Sequence, residues 1–328
     1  MHKAVLAGGC TVSTLCALPL LVLAVGPGEF GLAASAQESS TFSTNVDLVV
    51  LHATVCNRSG GFVSGLQEGN FQVYENGSRQ AIRVFQHEDV PVAVGLAVDN
   101  SGSMARKRPD VIAAALAFVR SSNPRDEMFV VNFNERVSLG LPDTKLFSAS
   151  AAELEKALNG IPASGKTALY DAIDAGLDHL RKATRDKKVL IVISDGGDNA
   201  SHRKLGQVLE AAARTNTIIY TIGLFDENDE DRNPGVLRRI ARSTGGEAFL
   251  PKEPGEVVGI CKRIAEDIRH QYTIGYVPSD QKFDDSYRSI RVTATGQRGQ
   301  KYVVRTRTGY FGAVKPAIGT AAYSSGRL

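Results

Sequence analysis

Val92-Ala93-Val94-Gly95-Leu96-Ala97-Val98-Asp99-Asn100-Ser101-Gly102-Ser103-Met104 is the stretch that decides the fold. It opens as an apolar run without a charge, which reads as a strand buried on both faces, as in a parallel α/β sheet. The polar cluster follows at once. It therefore falls at the carboxyl end of that strand, the edge where open α/β folds place their ligands. Asp99, Ser101 and Ser103 alternate, and Gly102 lets the backbone turn tightly between the serines. One carboxylate and two hydroxyls leaving one loop make an oxygen-only cation site without His or Cys. Such donors suit Mg²⁺ or Mn²⁺ better than Zn²⁺. The same residues also read as a plain turn with a helix N-cap, so the rest of the chain has to choose.

Outward from this stretch, strand-like and helix-like segments alternate. Strands are expected at Val92–Val98, Met128–Phe133, Val189–Ser194 and Thr217–Leu224. Helices are expected near Pro109–Arg120, Ala151–Leu158, Ala168–Thr184, Ser201–Arg214, Pro234–Ser243 and Glu256–Arg269. Arg136–Leu139 reads as a short edge strand, turned back on Met128–Phe133 across Asn134-Glu135. The alternation predicts an α/β fold: a doubly wound, mostly parallel sheet with helices on both faces.

Both flanks read as β structure. Before the α/β unit, Val46–Val55, Asn70–Glu75 and Ala81–Phe85 are strand-like, with turns at Asn57–Gly61 and at Asn76-Gly77. After it, Gln271–Val277, Tyr287–Thr295 and Lys301–Arg307 are strand-like. Three strands on either side are marginal alone. They are expected to join in one smaller β-sandwich-like domain that holds the α/β domain as an insertion. The expected organisation is a targeting segment over 1–36, β structure over 37–90, the α/β domain over 91–270, β structure over 271–310 and a disordered tail over 311–328.

Composition sets outer limits. The chain has 328 residues, 43% hydrophobic and 22% charged, the balance of a globular protein. A net charge of +3 without a long basic run argues against nucleic acid as the main partner. Lys3, the apolar stretch from Thr14 to Val25 and Ala34-Ser35-Ala36 together read as a secretory signal, so the expected location is secreted or periplasmic. No membrane span is expected after cleavage. Cys56 and Cys261 then remain, either as a disulfide or as two small core residues.

A cation at the Val98–Asp99 edge needs further oxygen ligands. Asp195 ends the buried strand Val189–Ser194 and so emerges at the same edge. Thr167 precedes the helix expected at Ala168. Singly, each reads as a helix cap; together with Asp99, Ser101 and Ser103 they describe a site. Here the sequence resembles the von Willebrand factor type A domains, called I domains in integrins. The metal-ion-dependent adhesion site of that family runs Asp-x-Ser-x-Ser, then Thr, then Asp. The matching residues are Asp99, Ser101 and Ser103, then Thr167 in Ser164-Gly165-Lys166-Thr167, then Asp195 in Ser194-Asp195-Gly196. The resemblance covers about Pro91 to His270. The flanks, with Phe71-x-Val73-x-Glu75-x-Gly77 and Tyr272-x-x-Gly275-Tyr276, are similar to those of exported bacterial proteins carrying such domains. The resemblance implies Mg²⁺ or Mn²⁺, with Ca²⁺ as a further option. It also implies a protein partner that offers an Asp or Glu carboxylate to an open coordination position.

Gly160-Ile161-Pro162-Ala163-Ser164-Gly165-Lys166-Thr167 also matches the P-loop pattern formally. A P-loop must follow a strand, whereas Ala151–Leu158 reads as a helix, and Pro162 removes an amide from the phosphate cradle. Asp226–Asp231 is an acidic run after a strand, read as a solvated loop rather than a calcium cage. Asp198 and Asn199 read as framing the site or capping the next helix. The expected function is an exported, metal-dependent protein-binding module, not an enzyme. The alternative is a structural element of a cell-envelope assembly whose ion only holds loops together.

Overall fold

The computed structural model describes residues 48–225, 231–280, 282 and 284–312. The expected targeting segment, most of the acidic run and nearly all of the expected tail lie outside these residues. The strand that opens the site, β5 (Ala93–Asp99), is buried at every position. On one side it pairs in parallel with β6 (Glu127–Phe133), on the other with β8 (Lys188–Ser194). β9 (Thr217–Gly223) and the two-residue β10 (Ala248–Phe249) extend the sheet beyond β8. β7 (Val137–Leu139) folds back antiparallel on β6 and closes the other edge. The order is β10-β9-β8-β5-β6-β7. The chain runs from β5 to β6 on one side and later returns to β8 on the other. The carboxyl ends of β5 and β8 therefore lie side by side at the point where the winding reverses, where such sheets form their crevice.

Among the described residues six α-helices cover the sheet. α1 (Arg108–Ser121), α2 (Ala151–Leu158) and α6 (Val257–Arg269) pack together on one face. α3 (Leu169–Leu180), α4 (Leu205–Thr215) and α5 (Pro234–Thr244) pack in sequence on the other. One core joins the two layers through the sheet, from Leu96, Phe129 and Ile191 to Phe118, Ile173 and Ile264. Within the described residues no helix is long and apolar enough to cross a membrane.

The flanking strands form two four-stranded antiparallel sheets. One has the order β13-β1-β11-β4, from β13 (Val303–Arg305), β1 (Val49–Cys56), β11 (Tyr272–Tyr276) and β4 (Ile82–Gln86). The other has the order β14-β12-β2-β3, from β14 (Gly309–Phe311), β12 (Tyr287–Ala294), β2 (Phe71–Glu75) and β3 (Ser78–Gln80). Each sheet draws strands from both ends of the described chain, so the α/β domain is an insertion in a β sandwich. Leu51, Phe71, Val73, Tyr272, Ile274 and Tyr276 fill the space between the sheets.

Several elements differ from expectation. β3, β10 and β14 were not anticipated. β3 exists because Asn76 and Gly77, both at positive φ, turn the chain back onto β2. The stretch Lys301–Arg307 is strand only at its centre, after an isolated bridge at Lys301. Phe311 opens the expected tail but pairs with Tyr287. α3 ends at Leu180 and α4 begins at Leu205, each shorter than the apolar pattern suggested. Cys56 and Cys261 are both buried and unpaired.

Candidate functional site

Four loops meet above the ends of β5 and β8. The first follows β5. Asp99 is 3% exposed, and its Oδ1 accepts the Ser101 backbone N–H at 2.8 Å, which bends the chain immediately after the strand. Gly102–Met104 then make one tight helical turn before α1. The turn reading is thus correct for the backbone. The capping half of it is not, because neither the Ser101 side chain nor that of Lys107 caps a helix here. The hydroxyls of Ser101 and Ser103 face each other at 3.2 Å instead.

The second loop follows β8. Ser194 donates its hydroxyl to Asp99 Oδ2 at 2.6 Å. Asp195, 2% exposed, accepts the Ser103 hydroxyl on Oδ2 at 2.5 Å and the Gly197 N–H on Oδ1 at 3.0 Å. Asp99, Ser101, Ser103 and Asp195 are therefore joined in one cluster through Ser194 and the serine pair. Gly102 is exposed and Ser103 half-buried, so the cluster opens to solvent on that side.

The third loop carries Thr167. Gly165 stands at φ +81°, a conformation that favours glycine, and its carbonyl accepts the Gly102 N–H at 3.2 Å. Ser164 N–H bonds the Asn100 carbonyl at 2.8 Å. These two bonds fasten the Thr167 loop to the serine loop. Thr167 is not the cap its position suggested. The first amides of α3 are taken by Asp198 and Ser201, with Tyr170 N–H to Asp198 Oδ1 at 3.3 Å and to Ser201 Oγ at 3.0 Å. The Thr167 hydroxyl has no hydrogen bond among the described residues, while its backbone N–H is held by Asn199 Oδ1 at 2.9 Å. Asn199 thus frames the site. Asp198 caps α3, which precedes it in the chain, rather than the helix that follows.

The fourth loop is the β6–β7 hairpin. The Asn134 carbonyl accepts Ala168 N–H at 2.7 Å, and Glu135 Oε2 accepts Lys166 N–H at 3.1 Å. The Glu135 carboxylate occupies the space a side chain on Gly165 would need: a Cβ there would lie 1.6 Å from Oε2. Below the loops, Asn100 Nδ2 donates to the Val98 carbonyl at 3.0 Å and to Asn132 Oδ1 at 3.2 Å, and Asn132 Nδ2 donates to the Ala157 carbonyl at 2.7 Å. Arg108 donates to Asn100 Oδ1 and to the Leu158 carbonyl. Ser194, Asn132 and Glu135 were not singled out as site residues, although Asn132 interrupts an otherwise apolar strand and Ser194 adjoins Asp195.

The donor chemistry fits a hard cation. The cluster is all oxygen; it holds two carboxylates beside hydroxyls, and among the described residues no group of three or more His, Cys, Asp or Glu side chains is placed to hold a metal, here or elsewhere. Burial pushes the Asp99 carboxyl up to about 6; hydrogen bonds from Ser194 and Ser101 oppose this, and the nearby charge of Asp195 adds to it. A buried carboxylate beside a second one is in deficit of positive charge. The P-loop reading fails on geometry, since α2 rather than a strand leads into Gly160–Thr167 and Lys166 is exposed.

The profile of the von Willebrand factor type A domain matches residues 94–260. The protein sll0103 of Synechocystis sp. is 26% identical over 181 residues; the match spans 53% of this chain and 41% of that protein. Similar solved structures include a von Willebrand factor type A protein from Catenulispora acidiphila, with 12% identity and a TM-score of 0.47, covering 83% of this chain and 75% of that one. The von Willebrand factor domain of the type V pili tip protein Mfa5 from Porphyromonas gingivalis has 16% identity and a TM-score of 0.46, covering 55% and 95%. BatB from Bacteroides thetaiotaomicron has 18% identity and a TM-score of 0.43, covering 54% and 98%.

Proposed function

The chain belongs to the von Willebrand factor type A domain family, whose members often mediate protein interactions or adhesion, and from that premise we propose that it is an exported binding module. It takes an acidic residue of a partner protein at the Asp99–Asp195 edge. The observation that supports this most directly is the clustering of Asp99, Ser101, Ser103 and Asp195, with Ser103 Oγ 2.5 Å from Asp195 Oδ2. Thr167, its hydroxyl uncommitted, is tied to the same loop through Gly165 and Gly102.

The residues that would hold a divalent ion are Ser101, Ser103 and Thr167 through their hydroxyls, with Asp99 and Asp195 beside them. Mg²⁺ or Mn²⁺ fits best, and Ca²⁺ is also compatible with oxygen donors. When bound, the ion supplies a positive charge with a coordination position left for an incoming carboxylate. The chain's own part is to hold the loops. Asn199 fixes Thr167, Glu135 fixes Lys166, and Asn100 with Asn132 and Arg108 supports the turn after β5. Export rests on Lys3, the apolar 14–25 stretch and Ala34-Ser35-Ala36, and fits a secreted or periplasmic partner.

Water-proton relaxation with Mn²⁺ tests the proposal on the mature chain. Bound Mn²⁺ should enhance relaxation, and added acetate should lower the enhancement by displacing coordinated water. Ser103→Ala should weaken the binding. Enhancement unchanged by acetate would assign the ion a loop-holding role in an envelope assembly. No enhancement at millimolar Mn²⁺ would remove the metal site altogether.

A further inference from the structure

Helix α5 carries a face that the proposed site leaves unused. Val236, Leu237, Ile240, Ala241 and Thr244 are its buried residues, and it packs against β9. Gly235, Arg238, Arg239 and Arg242 are all exposed. At 100° per residue they share an arc of about 100°. The eleven residues of the helix include no Asp or Glu. Several exposed arginines elsewhere on this domain are paired, Arg181 with Asp178, Arg203 with Asp174, Arg214 with Glu210 and Asp285, and the unpaired ones among the described residues, Arg120, Arg125 and Arg136, stand singly rather than on one helix face. The guanidinium groups of Arg238, Arg239 and Arg242 have no such partner among the described residues. A solvated helix end, with Arg242 complementing the dipole, accounts for one arginine well and for three poorly.

The placement of the helix adds the second argument. Its N-cap residue, Asn233, donates its backbone N–H to the Asp195 carbonyl at 3.1 Å. A Cβ on Gly196 would lie 2.6 Å from the Asn233 carbonyl oxygen. The arginine face therefore starts against the loop that carries Asp195. Gly235 leaves its first turn without a side chain, so an extended chain leaving the edge can lie close along it.

We propose that this face of α5 is a docking track for an acidic, extended segment of the partner, continuing from the carboxylate held at the Asp99–Asp195 edge. The inference rests on the binding reading above and specifies the partner further. Arg238 and Arg242 are one helical turn apart, about 6 Å along the axis. Two residues of extended chain cover about the same distance. The matching segment therefore carries two acidic residues two positions apart for Arg238 and Arg242, downstream of the acidic residue held at the edge.

The test uses the mature chain, Mg²⁺ and two labelled hexapeptides, read by fluorescence anisotropy at moderate salt. One peptide alternates glutamate and serine; the other has a single glutamate followed by serines. The alternating peptide should bind about tenfold tighter, as two further exposed ion pairs allow. Arg238→Glu with Arg242→Glu should erase that advantage and leave the protein's Mg²⁺ affinity unchanged. Arg79→Glu with Arg83→Glu, the same charge change on exposed sandwich residues, should not erase it. Equal binding of the two peptides, or equal effects of the two double variants, would overturn the track. Arginine-dependent binding that ignores chelator would keep the track and overturn the metal-held carboxylate. Binding of phosphatidylglycerol vesicles through the same arginines, with neither peptide bound, would assign the face to a membrane and overturn the proposal.

Discussion

Asp99→Asn should make the ion-free protein more stable and the ion-loaded protein less stable than wild type. The buried Asp99 carboxyl stands at about 6 in the fold against an ordinary 3.8. That difference corresponds to about 3 kcal/mol in favour of the neutral form. The folded value lies above the unfolded one. The stabilisation that goes with protonation is thus complete below about pH 3.8 and lost as pH rises through about 6. At pH 8 in chelator the wild type bears the whole cost. The variant amide is neutral and nearly the same shape. It keeps an acceptor for Ser101 N–H but presents a donor to Ser194 Oγ, now 2.6 Å from Asp99 Oδ2. Ser194 can turn its hydroxyl and accept, though its oxygen already accepts the Gly196 N–H. About 1 kcal/mol is a reasonable cost for that exchange, which leaves a net gain of about 2 kcal/mol. In a chain of this size that is roughly 4–8 °C in Tm.

Mg²⁺ at a hundred times its dissociation constant should add about 2.7 kcal/mol to the wild type and little to the variant, so the order of melting reverses. The assay is thermal unfolding at pH 8, in chelator and in excess Mg²⁺. A variant that melts at or below wild type in chelator would refute the electrostatic reasoning. Equal Mg²⁺ shifts in both proteins would refute Asp99 as a ligand. In chelator, the gap between the two should close as pH falls from 7 towards 4.

Other outcomes follow from the same contacts. Gly165→Ala forces a side chain onto the Glu135 carboxylate at a positive-φ position; it should cost about 1–3 kcal/mol and weaken Mn²⁺ binding in calorimetry. Burial, with Lys187 and Arg307 nearby, lowers the His52 pKa from 6.5 to about 3. Stability tied to His52 is therefore full above about 6.5 and lost as pH falls towards 3, by about 5 kcal/mol in all; His52→Leu should flatten that loss in urea titrations. This slope opposes that of Asp99, so each is read as a difference between variant and wild type. Arg305→Met would leave Asp267, 1% exposed and bonded by Thr54 Oγ1 at 2.6 Å, without its Arg305 partner. A loss of about 3 kcal/mol or more is expected in the urea midpoint. Retention of wild-type stability would show that the Asp267 network contributes little to docking the sandwich strands on α6.

The α/β core was legible because its signals are local. β5, β8 and β9 are apolar runs that only a sheet covered on both faces can bury, and the five proposed ligands follow those strands or open a helix. The sandwich was legible as two β flanks that join, but not as pairings. That β1 pairs with β11, and β2 with β12, depends on contacts more than two hundred residues apart, which no window of the sequence displays. The short edge strands β3, β10 and β14 were lost for the same reason, whereas β7 was read from its turn beside β6. Ser78-Arg79-Gln80 has no strand pattern of its own and is held by its partner.

Capping shows why long-range geometry matters for the site as well. A Thr in front of a helix and an Asp in front of another are ordinary caps when read along the chain, and both were assigned that way singly. In three dimensions the cap of α3 arrives from Asp198 and Ser201, some thirty residues later, and this frees the Thr167 hydroxyl. The exchange has a chemical consequence. A hydroxyl spent on a helix amide is a poor ligand, because its oxygen lone pairs are committed. A hydroxyl relieved of that duty, on a loop fastened to Gly102 and Asn199, is held in place for a cation at little further entropic cost. The long-range cap on α3, which reading along the chain did not assign, is the one that prepares Thr167 for its proposed role.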